Sequence, residues 1–392
     1  MIAEWIFWIA VLLVGYSYVA YPLVLAVLAR VTSVEALSAS AASGDNPAVA
    51  CIIAAYNEER HVAARIDNVI GQTYDTAKLT LYIGSDGSRD RTPELIAARQ
   101  SDRVRTFVFE KNRGKASVLN DLVAGSSEPI LVFSDANAMF APDAVARLVE
   151  RFSDPTVGAV CGELKLLDAS GSNQDSAYWR FEQFLKRCEA KIGGLLGANG
   201  AIYALRREAY RPLAADTIVD DFCTAMTAVA DGWRLVYEPR AIVVEDTPDD
   251  IADEYHRRVR IGIGNYQAFF RHPEFLTQTN GATRFAFVSH KVLRWFTPHL
   301  MLIALAASAY AAAHSGFYLA LFLAQVAVYV SAAVIWHRGL DAKLPKIARM
   351  VYQLLTLNFA FLVAFVRYVL GRYSGSWRTT ARGLEKSGSA PT

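Results

Sequence analysis

The chain has 392 residues, of which 53% are hydrophobic and 20% charged, and a formal net charge of +2. That length holds one domain of about 200 residues with substantial additions. So small a net charge, without a basic stripe and interleaved aromatics, argues against a nucleic-acid partner; so high an apolar fraction argues against a purely water-soluble protein.

The apolar excess lies at the two ends. From Ile2 to Leu28 only Glu4 is charged, which is long enough to cross a hydrocarbon core about 30 Å thick. A cleaved leader needs a basic start and a shorter apolar core, so the sequence predicts an uncleaved anchor. Ser38 to Asn46 reads as a small-residue linker and Ser387 to Thr392 as a frayed end.

From residue 47 onward, apolar runs of strand length alternate with amphipathic stretches. The runs are Val49 to Ala54, Leu79 to Gly84, Val104 to Phe109 and Ile130 to Phe133. This rhythm predicts βαβ units and a parallel sheet, with a ligand crevice at the carboxyl ends of the strands. Each run ends in polar residues: Tyr56-Asn57-Glu58-Glu59, Ser85-Asp86-Gly87-Ser88-Arg89-Asp90, Lys111 to Lys115, and Asp135-Ala136-Asn137.

Each cluster also has an ordinary reading. Glu58 and Glu59 suit the first turn of a helix, Asp86-Gly87-Ser88 suits a turn, and Asp135 or Asn137 suits a helix cap. Lys115 is different, because a cation opening a helix is unfavourable against the macrodipole unless an anion joins it, and a diphosphate supplies one. No G-x-x-x-x-G-K precedes this lysine and no G-x-G-x-x-G follows the first strand, which argues against a P-loop ATPase and a dinucleotide dehydrogenase.

Asp135 and Asn137, alternating on extended backbone, are expected to point the same way and hold Mg2+ or Mn2+, provided a ligand supplies the remaining oxygens. Asp220-Asp221 opens another helix-like run, where one carboxylate is free to face the cleft while the other caps the helix.

Three more apolar stretches follow: Phe296 to Ala313, Phe317 to Trp336 and Met350 to Leu370. Arg30, Arg338, Lys343 and Lys346 flank the spans so that the positive-inside bias puts residues 47–290 and the 337–348 loop in the cytoplasm. Arg372, Arg378, Arg382 and Lys386 oppose that bias if the last stretch crosses. Intramembrane polar residues are few, chiefly Gln325, Asn358 and Arg367, which argues against a transporter. Cys51, Cys161, Cys188 and Cys223 have no metal-ligand spacing and read as free thiols packed as small hydrophobes in a reducing compartment.

Together these motifs resemble glycosyltransferase family 2, in particular its membrane-embedded inverting branch, which includes the cellulose, chitin and hyaluronan synthases. The resemblance runs from residue 47 to about 270 and is carried by Ala54 to Glu59, Ser85 to Asp90, Asn112 to Asn120, Asp135-Ala136-Asn137 and Val219-Asp220-Asp221. It implies an α/β, Rossmann-like nucleotide-sugar domain of the GT-A type flanked by transmembrane helices. The corresponding division is an anchor at 1–30, a cytoplasmic transferase domain at 47–248, interfacial helices at 249–295, spans at 296–371 and a tail at 372–392.

By the same resemblance, Ala54, Tyr56, Glu58 and Asp86 frame the uridine and Lys115 meets the base or diphosphate. Asp135 holds metal and diphosphate, Asn137 stands where the family has the second Asp of D-x-D, Asp221 is the base and Asp220 supports it. Arg257-Arg258-Val259-Arg260-Ile261 is similar to the branch's Q/R-x-x-R-W, with Ile261 in place of Trp. Arg257 and Arg260 would neutralise the departing diphosphate. Gly193 to Gly200 resembles the acceptor loop, bringing Asn199 and, from the preceding helix, Trp179 toward the sugar.

The implied activity is a multi-pass inner (plasma) membrane enzyme that moves a sugar from a UDP-sugar to a saccharide acceptor in extracellular or cell-envelope polysaccharide synthesis. Single addition to a lipid-linked acceptor, and a non-catalytic nucleotide-sugar-binding part of an export complex, are the alternatives. Membrane lipids are expected partners in every case.

Overall fold

The computed structural model describes residues 1–32, 46–167, 177–246, 251–338 and 345–375. The expected linker, apart from Asn46, and the tail residues Arg378, Arg382, Lys386 and 387–392 lie outside them.

The chain opens with α1 (Ile2–Gly15), which runs through a π-helical turn (Tyr16–Ala20) into α2 (Tyr21–Val31). Then come β1 (Val49–Ala55), α3 (Val62–Ile70), β2 (Leu79–Asp86), α4 (Thr92–Ala97), β3 (Val104–Phe109), α5 (Lys115–Ala124), β4 (Ile130–Asp135), β5 (Met139–Phe140) and α6 (Ala144–Glu150). The second half of the sheet region holds β6 (Val157–Leu167), α7 (Ala177–Lys191), β7 (Tyr203–Arg206), α8 (Asp220–Ala230) and β8 (Arg234–Asp246). The remaining helices are α9 (Ile251–Arg271), α10 (Glu274–Thr277), α11 (Gly281–Ala286), α12 (Leu293–Ala312), α13 (Gly316–Arg338) and α14 (Lys346–Val369).

The strands form one sheet in the order β3-β2-β1-β4-β7-β6-β8-β5. The four runs legible in the sequence are its parallel half, β3, β2, β1 and β4. The other half is mixed: β7 is antiparallel to β4 and β6, β8 is parallel to β6, and β5 is antiparallel to β8. The expectation of a parallel sheet therefore holds for the first half alone.

The alternation along β1 shows why its run is continuously apolar. Val49, Cys51 and Ile53 face a core completed by Val62 and Ile66 of α3 and Val145 and Leu148 of α6. Ala50, Ile52 and Ala54 face the opposite core, with Val118 and Leu122 of α5 and Ala225 and Ala228 of α8. A strand covered on both faces has no polar register to show. All four cysteines are buried and free.

The chain crosses from β1 to β2 and β3 on one side, then returns to place β4 on the other. The strand order thus reverses between β1 and β4, and a crevice opens at their carboxyl ends. There Ala54, fully buried, pairs with Asp135 on one side and Gly84 on the other.

The sheet unit comprises residues 25–253, 270–287 and 374–392; the helical unit comprises 1–24, 254–269 and 288–373. Among the described residues, four helices are long and apolar enough to cross a membrane: Ile2–Val31, Gly281–Ala312, Gly316–Arg338 and Ile347–Val369. Within the helical unit Phe7 and Ala10 pack on Ala304, Ala307 and Ala311, small residues that let helices approach closely. Gln325 donates to Ser308 Oγ at 3.0 Å and Asn358 to the Leu354 carbonyl at 2.8 Å, so these two polar side chains are satisfied within the bundle.

Candidate active site

The first two loops at the sheet's carboxyl edge are tied to each other. Asn57 adopts a left-handed φ of 53°; its Oδ1 accepts from Arg89 N at 2.8 Å while its own N–H donates to Ser88 Oγ at 3.1 Å. Glu58 N–H donates to Thr92 Oγ1, Glu59 N–H to Asp90, and the Glu59 carboxylate accepts from Arg91 N–H. Glu58 also meets His61 Nδ1 at 2.9 Å, and Tyr56 is half-buried beside it.

Asp86 ends β2 with no exposed surface. Its Oδ1 accepts from Arg113 N–H at 2.8 Å and its Oδ2 from Gly114 N–H at 2.9 Å, so the carboxylate fixes the loop that leads into α5. Gly87 makes the crossing possible: a Cβ there would stand 2.4 Å from Asn112 N, and its φ is +65°.

Lys115 then begins α5, and its Nζ lies 2.8 Å from Asp135 Oδ1 and 3.0 Å from Asp220 Oδ2. The anion that reconciles a lysine with a helix N-terminus is thus supplied by the chain itself. Burial alone would lower the lysine's pKa, but Asp135, Asp220 and Asp221 outweigh it and hold the ammonium firmly protonated.

The two aspartates of α8 differ. Asp220 is 6% exposed and pairs with Lys115. Asp221 accepts from Phe222 N–H at 2.8 Å through Oδ1. Burial, then the charge of Asp220, push its carboxyl up to about 6, although Lys115 pulls the other way. Its Oδ2 faces Gly200: a Cβ on that glycine would stand 3.3 Å from Asp221 Oδ2 and 3.4 Å from Asp135 Oδ2. The missing side chain leaves room where two carboxylates converge.

Asn137 departs from expectation. β4 ends at Asp135 and Ala136-Asn137 form a turn, so the strand alternation that would align both side chains stops one residue short. Asn137 Nδ2 instead donates to Glu245 Oε1 at 2.9 Å. Asn199 bridges to Ile202 and donates from Nδ2 to the Gly162 carbonyl at 3.1 Å. Trp179 lies on α7 and is partly buried. Arg257 and Arg260 belong to α9, in the helical unit.

Three supports escaped the sequence reading. Arg65 of α3, fully buried, donates to Ser134 Oγ at 2.7 Å, and Ser134 donates to the Ala201 carbonyl at 2.6 Å, tying the end of β4 to the Gly200 loop. Arg271 makes a bidentate pair with Asp216 at 2.8 and 2.7 Å, four residues before Asp220. Glu245 reaches Asn137. All three join residues more than fifty positions apart, and no local pattern marks them.

As a cation site the donor set is partial. Among the described residues no three His, Cys, Asp or Glu side chains are arranged to hold a metal ion. Asp135 offers one carboxylate and Asn137 one amide oxygen, both hard donors. Such a pair fits Mg2+ or Mn2+ where phosphates and water complete an octahedron.

The mixed sheet, with its crevice at the β1/β4 reversal where a largely buried lysine meets three carboxylates, is a GT-A-like, Rossmann-like fold. Residues 50–213 match the model for glycosyl transferase family 2. A poly-beta-1,6-N-acetyl-D-glucosamine synthase of Staphylococcus aureus (strain COL) is 28% identical over 228 residues, 56% of this chain and 55% of that protein. The synthase of the same name from Staphylococcus epidermidis is 26% identical over 231 residues, 57% and 56%. The chain thus spans about half the length of these curated relatives. A mannosyltransferase from Pyrobaculum calidifontis has a similar fold, with a TM-score of 0.70, 23% identity and coverage of 94% of this chain and 100% of that one.

Proposed function

We propose that the protein is a membrane-bound inverting glycosyltransferase that moves a sugar from a UDP-sugar to a saccharide acceptor in extracellular or cell-envelope polysaccharide synthesis. The observation that carries the reading is the meeting of Asp135, Lys115, Asp220 and Asp221 at the strand-order reversal. The poly-N-acetylglucosamine synthases support the polymer product, and the mannosyltransferase of similar fold, solved with GDP-Man and Mn2+, supports a nucleotide-sugar donor and a divalent cation.

Asp135 and Asn137 would hold Mg2+ or Mn2+, which when bound stabilises the charge on the leaving diphosphate. Lys115 adds a fixed positive charge to the same diphosphate. The loops of Tyr56, Glu58 and Asp86 bound the nucleoside, with Ala54 as the small residue that lets it lie close to the sheet. Asp221, with its raised pKa, is matched to accept the acceptor hydroxyl's proton as that oxygen attacks the anomeric carbon from the side opposite the diphosphate. Asp220 keeps Lys115 in place. The Gly200 gap leaves space for the reacting groups, and Asn199 and Trp179 flank the acceptor. The spans hold the protein in the plasma membrane with the transferase domain cytoplasmic.

Ile261 favours a second reading, single addition to a lipid-linked acceptor, because an aromatic platform for a growing sugar chain is absent at that position. The test is purified protein in detergent with UDP- and GDP-sugars, Mn2+ or Mg2+, and both acceptor types, following nucleotide release and product mass. Release of UDP with a ladder of products is expected. A single mass increment supports the second reading; donor binding without nucleotide release overturns both.

A further inference from the structure

We propose that Glu245 is a positioning residue for the cation site, taking the nitrogen end of the Asn137 amide and so turning its oxygen end toward the metal. The inference rests on the metal-dependent reading above.

The sheet brings the two residues together. β5 runs antiparallel to β8 with Met139 opposite Val244 and Phe140 opposite Val243. Continuing that register by one step sets Glu245 opposite Ala138, beside Asn137 in the turn after β4. The side chains meet there, Nδ2 to Oε1 at 2.9 Å.

An amide carries a donor and an acceptor on one carbon, and a rotation about its last bond exchanges them. Only the oxygen can bind a cation. A carboxylate accepts and never donates, so Glu245 can meet only the NH2 group of Asn137. The oxygen is thereby fixed on the opposite side. The same contact draws electron density toward the amide oxygen and puts a second negative charge one hydrogen bond behind the ligand. Asp135, Asn137 and Glu245 then carry the charge of two adjacent carboxylates, with one displaced to β8. Outer partners of this kind set the orientation and basicity of metal ligands.

The experiment is Mn2+ binding to purified protein in detergent with UDP at a fixed concentration, read by the electron paramagnetic resonance signal of free Mn2+ against a protein-free UDP blank, with thermal unfolding in EDTA as the folding control. Glu245→Ala is expected to weaken Mn2+ binding about 10- to 100-fold, and Glu245→Gln, which keeps an acceptor but loses the charge, by less. The pair Asn137→Asp with Glu245→Ala is expected to recover wild-type affinity, because an aspartate at 137 presents oxygen whichever way it turns. A role confined to bracing the turn predicts no such rescue. Unchanged Mn2+ affinity in Glu245→Ala, or a double variant no better than the single one, overturns the inference alone. Wild-type protein that binds no Mn2+ overturns the cation reading and this inference with it.

Discussion

Two aspartates, Asp86 at the end of β2 and half-buried Asp221 at the start of α8, have opposite surroundings. Asp86, on the β2 side, has each oxygen met by a backbone N–H from residues 113 and 114. Asp221, on the α8 side, has one backbone N–H, a like-charged neighbour in Asp220, and a second oxygen that faces the space over Gly200. Asp86 holds a loop still. Asp221 keeps an affinity for protons, and residue pattern without the family resemblance does not separate the two, since an aspartate is ordinary both at a strand end and in the first turn of a helix.

The widest separation between the two regions is expected from Asp221→Asn. Loss of a positioned base costs about 10² to 10⁴ in rate, or about 3 to 5 kcal/mol, so turnover should collapse while titration with UDP in the presence of Mn2+ remains near wild type. Equal turnover in the variant would remove Asp221 from the mechanism.

Next comes Lys115→Met, which strips the shared cation from three carboxylates. Breaking one side of a largely buried ion pair costs about 3 kcal/mol or more, and the melting temperature should fall with donor affinity. A variant that loses donor affinity but melts as wild type would make the lysine a ligand contact and nothing else.

Acidity sharpens the contrast further. As pH falls through about 6, Asp221 takes up a proton and kcat/KM should drop about tenfold per unit. Stability moves the other way. Because the folded-state value of about 6 exceeds the ordinary 3.8, folding is favoured by this group at low pH, and that benefit is lost as pH rises from 3.8 to about 6. Asp221→Asn should therefore melt higher than wild type at pH 7.5, with the gain fading toward pH 4.

Asp86→Asn replaces one acceptor oxygen with an NH2 facing a backbone N–H, and should cost about 2 kcal/mol in urea unfolding. Gly200→Ala should cost only about 1 kcal/mol in the fold, from crowding of the two carboxylates, and show itself mainly as weaker acceptor use.

How much of this was legible follows from what kind of contact each feature needs. The parallel strands were readable because a strand covered on both faces leaves an unbroken apolar run, as Val49 to Ala55 does. The mixed half was not: β6, β7 and β8 carry Glu163, Arg206 and Glu238 within or at the ends of their runs, satisfied by distant partners, which breaks the period. Lys115, Asp135, Asp220 and Asp221 were all singled out, and they do gather. One arrangement differs from expectation, since Asn137 has left the strand, and Lys115 already meets the protein's own carboxylates. Arg65, Asp216, Arg271 and Glu245 carried no signal at all, because a side chain that acts across fifty residues leaves no mark on its neighbours in the chain.

After α14 the chain rejoins the sheet unit, and Gly375 lies against it: its carbonyl oxygen is 2.9 Å from where a Cβ on Gly114 would stand, and a Cβ on Gly375 itself would meet the Asp216 backbone at 2.7 Å. Those two contacts are the residue just before the lysine helix and the loop that leads to Asp220. A change at the carboxyl side of the last helix is therefore expected to be felt in the two loops that carry Lys115 and Asp220 into place.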